Sequence, residues 1–444
     1  MYIFVLYMFT IIFLFLAGYK MNHRRQEWIV LLLILSFIKT AISYLFGGNT
    51  VFTLVTIGSI QVHLDDVILI WLLLFCIFEL LTKNQIRSIY FGMQFFIIVP
   101  IVIALLHGVI SGTTMSGFLS DTRKFILFIV AMMACYLVFH LDETYYRMRT
   151  IKLYINRLMN CVLVYTFIIW CMDLLLGFNS LPGQQNGLLS DGGSTFRIIN
   201  PPLVFMIALY TLYLIYNDLD RKRYLGLRSL IFTVVVILMQ WRTVVAAFLV
   251  GLVVLMISYF ANNRGITKNL FLEIILIVLI CAGLAAFGGG SSIGEMIQNL
   301  FSSYGNISTD EGTFATRTDA WALLIGSLSG ISIIIGRPFG YTDTSLDWQY
   351  SAHSGYVDFI VATGYFGLAC LIVFMIFLIV NCIRKRNVLL ITISIAFVVY
   401  WIGYGFTIEQ GAMLGVILGI LENYDLWKSE DCDLGEMENE LVAH

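Results

Sequence analysis

The stretch Arg317-Thr318-Asp319-Ala320-Trp321 sets a guanidinium one helical turn ahead of an indole, and Leu323, Leu324, Leu328 and Ile331 continue an apolar face at the same spacing. A helix with that face, over about 315–335, lies on a membrane surface with Trp321 as its anchor. Arg317 would then grip a phosphate bidentately or, more plainly, contact a lipid headgroup or Asp319. His353, in Ala352-His353-Ser354-Gly355-Tyr356, stands just before an apolar run. An imidazole titrating near about 6.5 is suited to take a proton from an attacking hydroxyl, although a lone histidine is more often an ordinary hydrogen-bonded residue. Arg242-Thr243 interrupts the apolar run 230–260. An arginine there sits in a tight hairpin or inside the bundle, and either is costly without an anion, which Asp358 or Glu409 would supply in a purely structural reading.

Three weaker signals join these. Arg197 precedes Asn200-Pro201-Pro202, whose prolines break the first turn of a span, and the glycine-rich stretch 181–195 can present backbone amides to an anion. Gly336-Arg337-Pro338-Phe339-Gly340 is a turn whose glycines permit unusual backbone angles, and Arg337 within it reads as structural or lipid-facing. There is no Walker A motif, no GxGxxG and no HExxH, and the carboxylate pairs at Asp218/Asp220 and Asp431/Asp433 are chance matches, so no metal or cofactor is expected.

Membrane helices must position these residues. The 444 residues are 59% hydrophobic and 12% charged with a mean hydropathy of +0.89, whereas soluble domains are about 25% charged. Apolar runs recur at about 2–19, 28–46, 65–82, 89–110, 125–140, 158–177, 197–216, 226–241, 243–260, 270–287, 356–382, 388–406 and 410–422. Each approaches the length needed to cross about 30 Å of hydrocarbon as a helix, the only open-chain form that satisfies its own backbone there. The fold class is therefore all-α, a polytopic transmembrane bundle of about 12 or 13 spans. The first run lacks a basic leader and a cleavage site and reads as a retained span. Most of the eight cysteines fall in apolar segments as small core residues, without metal or disulfide spacing.

Most of the 26 basic residues collect in alternate short loops, including Lys83/Arg87, Arg221/Lys222/Arg223/Arg228 and Arg384/Lys385/Arg386. By the positive-inside rule these are cytoplasmic. Arg123, Lys124, Arg197, Arg242, Arg317 and Arg337 resist that bias and fall at the opposite face, as does His353. The chain divides into an N-terminal bundle (1–287), an extracytoplasmic loop with amphipathic surface helices (288–352), C-terminal spans (353–422) and an acidic cytoplasmic tail (423–444). The long loop is the natural seat of a site.

In order and topological side, these residues resemble the bacterial O-antigen polymerase and O-antigen ligase superfamily, membrane glycosyltransferases related to the GT-C type. The resemblance is carried by Arg242-Thr243 in a tight hairpin, Arg317 and Trp321 in the long loop, Gly336, Pro338 and Gly340 in its turn, His353-Ser354 before a span containing Gly364 and Gly367, and Arg197 with Asn200-Pro201. It covers roughly residues 185–385 and departs at Ser354, where the family often has asparagine.

What the resemblance implies is a polysaccharide polymerase of O-antigen, capsule or exopolysaccharide type. It would join oligosaccharide units carried on undecaprenyl diphosphate, at the outer face of the bacterial cytoplasmic membrane. Arg197, Arg242 and Arg317 would stabilise the departing diphosphate without a metal, and His353 would be the general base, with inversion at the anomeric carbon. Arg337, Trp321, Tyr356 and Lys124 would help bind diphosphate or glycan. Partners would be the lipid-linked donor, a glycan acceptor, membrane lipid, and chain-length regulator and flippase proteins, with no nucleic acid. A ligase that transfers a finished glycan to lipid or protein shares these residues. A flippase would instead place its charges at mid-bilayer, where Lys39 and Glu409 fit best.

Overall fold

The computed structural model describes residues 53–57, 60–82, 88–113, 115–139, 155–157, 159–168, 199–220, 226–239, 241–262, 313–340 and 353–423. The spans expected at 2–19, 28–46 and 270–287 lie outside the described residues, as do Lys39, Arg197, the 181–195 stretch, the rest of the long loop and the acidic tail beyond Asn423.

Of the residues described, 84% are helical. A hairpin of β1 (Thr53–Ile57) and β2 (Ile60–His63) leads into α1 (Leu64–Thr82), α2 (Ile89–Ile110) and α3 (Met115–Phe139). Then come α4 (Pro201–Asp220), α5 (Leu227–Leu238), α6 (Arg242–Asn262), α7 (Thr313–Gly326) and α8 (Ser332–Ile335). The chain closes with α9 (Gly355–Arg384), α10 (Val388–Tyr400) and α11 (Ile408–Glu422).

Among the described residues, four helices are long and apolar enough to cross a bilayer: Ile89–Ile110, Pro201–Leu219, Arg242–Tyr259 and Gly355–Arg384. Leu106, Ile110, Val253, Ile257 and Ile376 on them are exposed at 55% or more. Contiguous apolar surface of that kind is rare on soluble proteins and suits contact with lipid, so the chain is an all-α membrane protein.

Hydrogen bonds at the helix ends fix which ends lie together. Ser88, capping α2, and Tyr136, near the end of α3, both donate to the Glu422 carboxylate at the end of α11, the latter at 3.0 Å. Tyr259 donates to the Leu219 carbonyl at 2.8 Å, joining the ends of α6 and α4. At the other end Trp241 Nε1 donates to the Ile199 carbonyl at 2.9 Å, and the Gly355 amide to the Trp401 carbonyl at 2.8 Å. The two ends are called below the Glu422 end and the His353 end.

The most extensive helix pair is α3 with α11. Gly411 and Gly415, four apart on one face of α11, lie so close to α3 that a Cβ at either would overlap the carbonyl of Phe128 or Met132. Small residues at this spacing let membrane helices touch backbone to backbone, where dispersion rather than hydrophobic burial drives association. Replacing Gly411 by Ala is expected to force the helices apart at a cost of about 1–3 kcal/mol, read as a lower melting temperature in detergent.

Three elements differ from the sequence expectation. The β-hairpin is an addition to the helices of the described residues; it is tied down by the His63 amide, which donates at 2.7 Å to Asp66. The amphipathic stretch is broken at residues 327–331 into α7 and the single turn α8. The run expected to span 388–406 stops at Tyr400, because Ser354 and Gly355 both take the Trp401 carbonyl as acceptor and fold the chain away from helix there.

Candidate active site at the His353 end

The turn 401–407, between α10 and α11, is the hub of the His353 end. Its Trp401 carbonyl accepts from Ser354 Oγ at 3.4 Å and from the Gly355 amide. Ser354 also caps α9 by accepting from the Val357 amide. With Ser354 and Gly355 pinned, His353 takes φ = 42°, a left-handed angle that side chains avoid and that costs roughly 1–3 kcal/mol. The fold holds the imidazole's attachment point against that cost, at an exposed position just beyond the apolar part of α9.

Two charges act on His353. Partial burial first, and the Arg317 guanidinium second, hold the imidazole below its ordinary value of 6.5, against the upward pull of the Asp358 carboxylate. The neutral form, the one able to accept a proton, therefore predominates near neutral pH. Asp358, in the first turn of α9, is ion-paired at 3.4 Å to Lys124 on α3. Lys124 Nζ also lies over the Phe125 ring, 5.1 Å from its centre. Below it, Phe406 packs edge-on against Phe128 and at a tilt against Phe125 and Phe359, with centroids 4.8–5.6 Å apart, as an aromatic floor.

Arg242 is brought to the same hub by its neighbours. It opens α6 after the short α5–α6 connection and is half-buried. Thr243 packs on Gly403 so closely that a Cβ there would overlap its side chain, and Trp241 meets Tyr404 edge-on at 6.2 Å. Arg242 thus stands beside residues 403–404 while Asp358 stands against Gly405 of the same turn, where a Cβ would overlap Oδ2. Asp358, weighed from sequence as an ion-pair partner for Arg242, is paired with Lys124.

The remaining candidates separate. Trp321 is half-buried on α7, one turn from Arg317. Arg337 is anchored deeper along α9, its amide donating to the Val361 carbonyl at 2.8 Å, in a turn that is wedged into the bundle. The Gly340 amide donates to Asp121 and Thr113 donates to the Phe339 carbonyl, so the turn acts as a buried strut. Tyr356 donates its hydroxyl to the Val398 carbonyl at 2.9 Å and sets its ring against Trp401, which commits it to packing α9 on α10.

In the sequence Asp358 offers no role beyond a countercharge for Arg242, and nothing there announces the 401–407 turn. A carboxylate in the first turn of an apolar span was the signal for the former. The turn carried none, since its shape depends on contacts with Ser354 and Thr243. Among the described residues no group of three or more His, Cys, Asp or Glu side chains converges in a way that could hold a metal ion.

Compared with known proteins, the chain matches no family model and no curated protein.

Proposed function

We propose that this membrane protein is a glycosyltransferase of the polysaccharide-polymerase kind, joining lipid diphosphate-linked oligosaccharides at its His353 end, on the outer face of a bacterial cytoplasmic membrane. The observation that carries the reading is one imidazole, held mostly neutral at pH 7, in the field of Arg317 and on the same end of the bundle as Arg242. That combination suits a displacement in which a hydroxyl loses a proton while a diphosphate leaves.

His353 takes the proton of the acceptor hydroxyl as its oxygen bonds to the anomeric carbon. The bond from that carbon to the diphosphate oxygen breaks, and its electron pair leaves with the diphosphate. Arg242 and Arg317 gain most from the charge that develops there, so they lower the barrier rather than merely binding the ground state. Attack from the face opposite the leaving group inverts the anomeric centre.

The test is reconstitution in vesicles with a synthetic lipid diphosphate oligosaccharide, scoring chain extension by wild type and by Arg242→Ala, Arg317→Ala and His353→Ala. Extension by wild type that each substitution suppresses supports the reading; unchanged extension by all three variants overturns it. With guanidinium groups in place of a metal, extension is expected to continue in excess chelator, measured in the same vesicles. Loss that a divalent ion restores would remove this part of the mechanism.

A flippase reading would draw on Glu409, buried at 1% exposure, but its place in the first turn of α11 sets it near the His353 end rather than at mid-bilayer. The two part on where substrate collects when His353 is replaced: lipid-linked units build up on the outer side for a transferase and on the cytoplasmic side for a flippase. A ligase differs only in the acceptor that restores turnover.

A further inference from the structure

We infer that Asp358, held by Lys124, is the positioning residue for His353: its carboxylate is the countercharge that stabilises the imidazole while it carries the acceptor's proton. This rests on the transferase reading above and adds the pair that governs its base.

Three observations carry it. Asp358 lies five residues beyond His353 in the first turn of α9, so the helix cap that fixes one backbone fixes the other. Its carboxylate is confined on two further sides, by Lys124 Nζ at 3.4 Å and by the bare Cα of Gly405, where a Cβ would overlap it. The aspartate side chain is 21% exposed and the lysine 43%, so the ion pair is partly screened from solvent without being buried. A surface pair of this kind adds little stability on its own.

Among the described residues, the surrounding charges are Arg317 and Asp319 on α7, Asp121, Arg123 and Lys124 on α3, Arg242 on α6, Arg337 after α8, His107 on α2 and Glu409 on α11. Arg123 is engaged by Asp66 through paired bonds of 2.8 and 3.0 Å. Of these groups, Arg317 and Asp358 are the two whose charges bear most on His353. Lys124 therefore reaches the imidazole through the carboxylate that it restrains.

The arrangement makes two substitutions act in opposite senses. Asp358→Asn removes the anion that favours imidazolium, so the acid limb of the kcat/KM profile moves to lower pH. The base is weakened as well, and kcat falls about tenfold with KM for the lipid-linked donor unchanged. Lys124→Gln leaves the carboxylate unopposed, so the acid limb moves to higher pH. A purely structural pair would lower folded yield in both variants and move neither limb.

The experiment is the pH profile of both variants in reconstituted vesicles, with NMR titration of histidine-labelled protein in detergent as a readout that does not depend on turnover. Opposite displacements of the limb and of the His353 midpoint support the proposal. Limbs that stay in place or move together overturn it. Where Asp358→Asn does not fold, the direction for Lys124→Gln decides alone, since its partly exposed chain can be shortened with little loss of packing. An inactive His353→Ala with unmoved limbs sinks only this inference, whereas an active His353→Ala sinks the transferase reading itself.

Discussion

Replacing His353 by alanine is expected to slow glycan extension by a factor on the order of 10² to 10³, with KM for the lipid-linked donor changed by less than about twofold. A general base interacts with its substrate most strongly as the proton leaves, so its loss appears in kcat rather than in binding. Folding should survive, because the residue is partly exposed and the local backbone is held by Ser354 and Gly355 on the Trp401 carbonyl. His353→Gly makes the control: glycine relieves the φ of 42° without restoring a base, so it should be as slow as alanine and at least as stable. The pH dependence has a definite sign. The imidazole is held below 6.5, and the proposed mechanism needs its neutral form, so wild-type rate should be near its plateau at pH 7 and decline only as pH falls below the ordinary histidine range. Extension by His353→Ala within a few-fold of wild type would remove the proposed mechanism.

Length and hydropathy made the long helices legible: the run read at 89–110 is α2, and that at 356–382 is α9 to within two residues at each end. A membrane span announces itself because every residue along some 20 positions meets the same solvent. Gly336 and Gly340 were also readable as turn glycines, and both have φ near +80°. Tertiary demands were not readable. The Lys124–Asp358 pair joins α3 to α9 across more than half the chain, and nothing around either residue names the other. The break at 327–331 arises because the backbone of the short turn α8 has to lie against α9 at Gly364, a course that a straight continuation of α7 would not take. Periodicity runs straight through such a break, since the apolar residues on both sides keep one phase. Of the candidate site, the residue types at one end of the helices were legible and their geometry was not, because the 401–407 turn that gathers them contains no titratable group apart from Tyr404.

Gly364→Ala is expected to cost more than about 4 kcal/mol and to leave little folded protein, read as loss of a monodisperse species in detergent. Gly364 interrupts α9 with φ = 68° and ψ = −173°, a combination essentially confined to glycine. A Cβ there would overlap the Ile334 carbonyl, and a Cβ on Gly336 would overlap that of Ala362, so two backbones meet where neither can yield. The Arg337 amide takes the Val361 carbonyl at 2.8 Å, using one of the acceptors that the interrupted helix leaves free. This lock joins the segment carrying Arg317 to the helix that His353 precedes. Gly336→Ala, strained at φ = 84° and facing the same obstacle, should behave alike. Gly92→Ala in α2, where a Cβ meets nothing within 4 Å, should be neutral or gain up to about 1 kcal/mol of helix propensity. If Gly364→Ala melts with Gly92→Ala, the lock is not what holds the loop to α9. The registration of Arg317 with His353 would then have to come from α7 itself, which also touches α9.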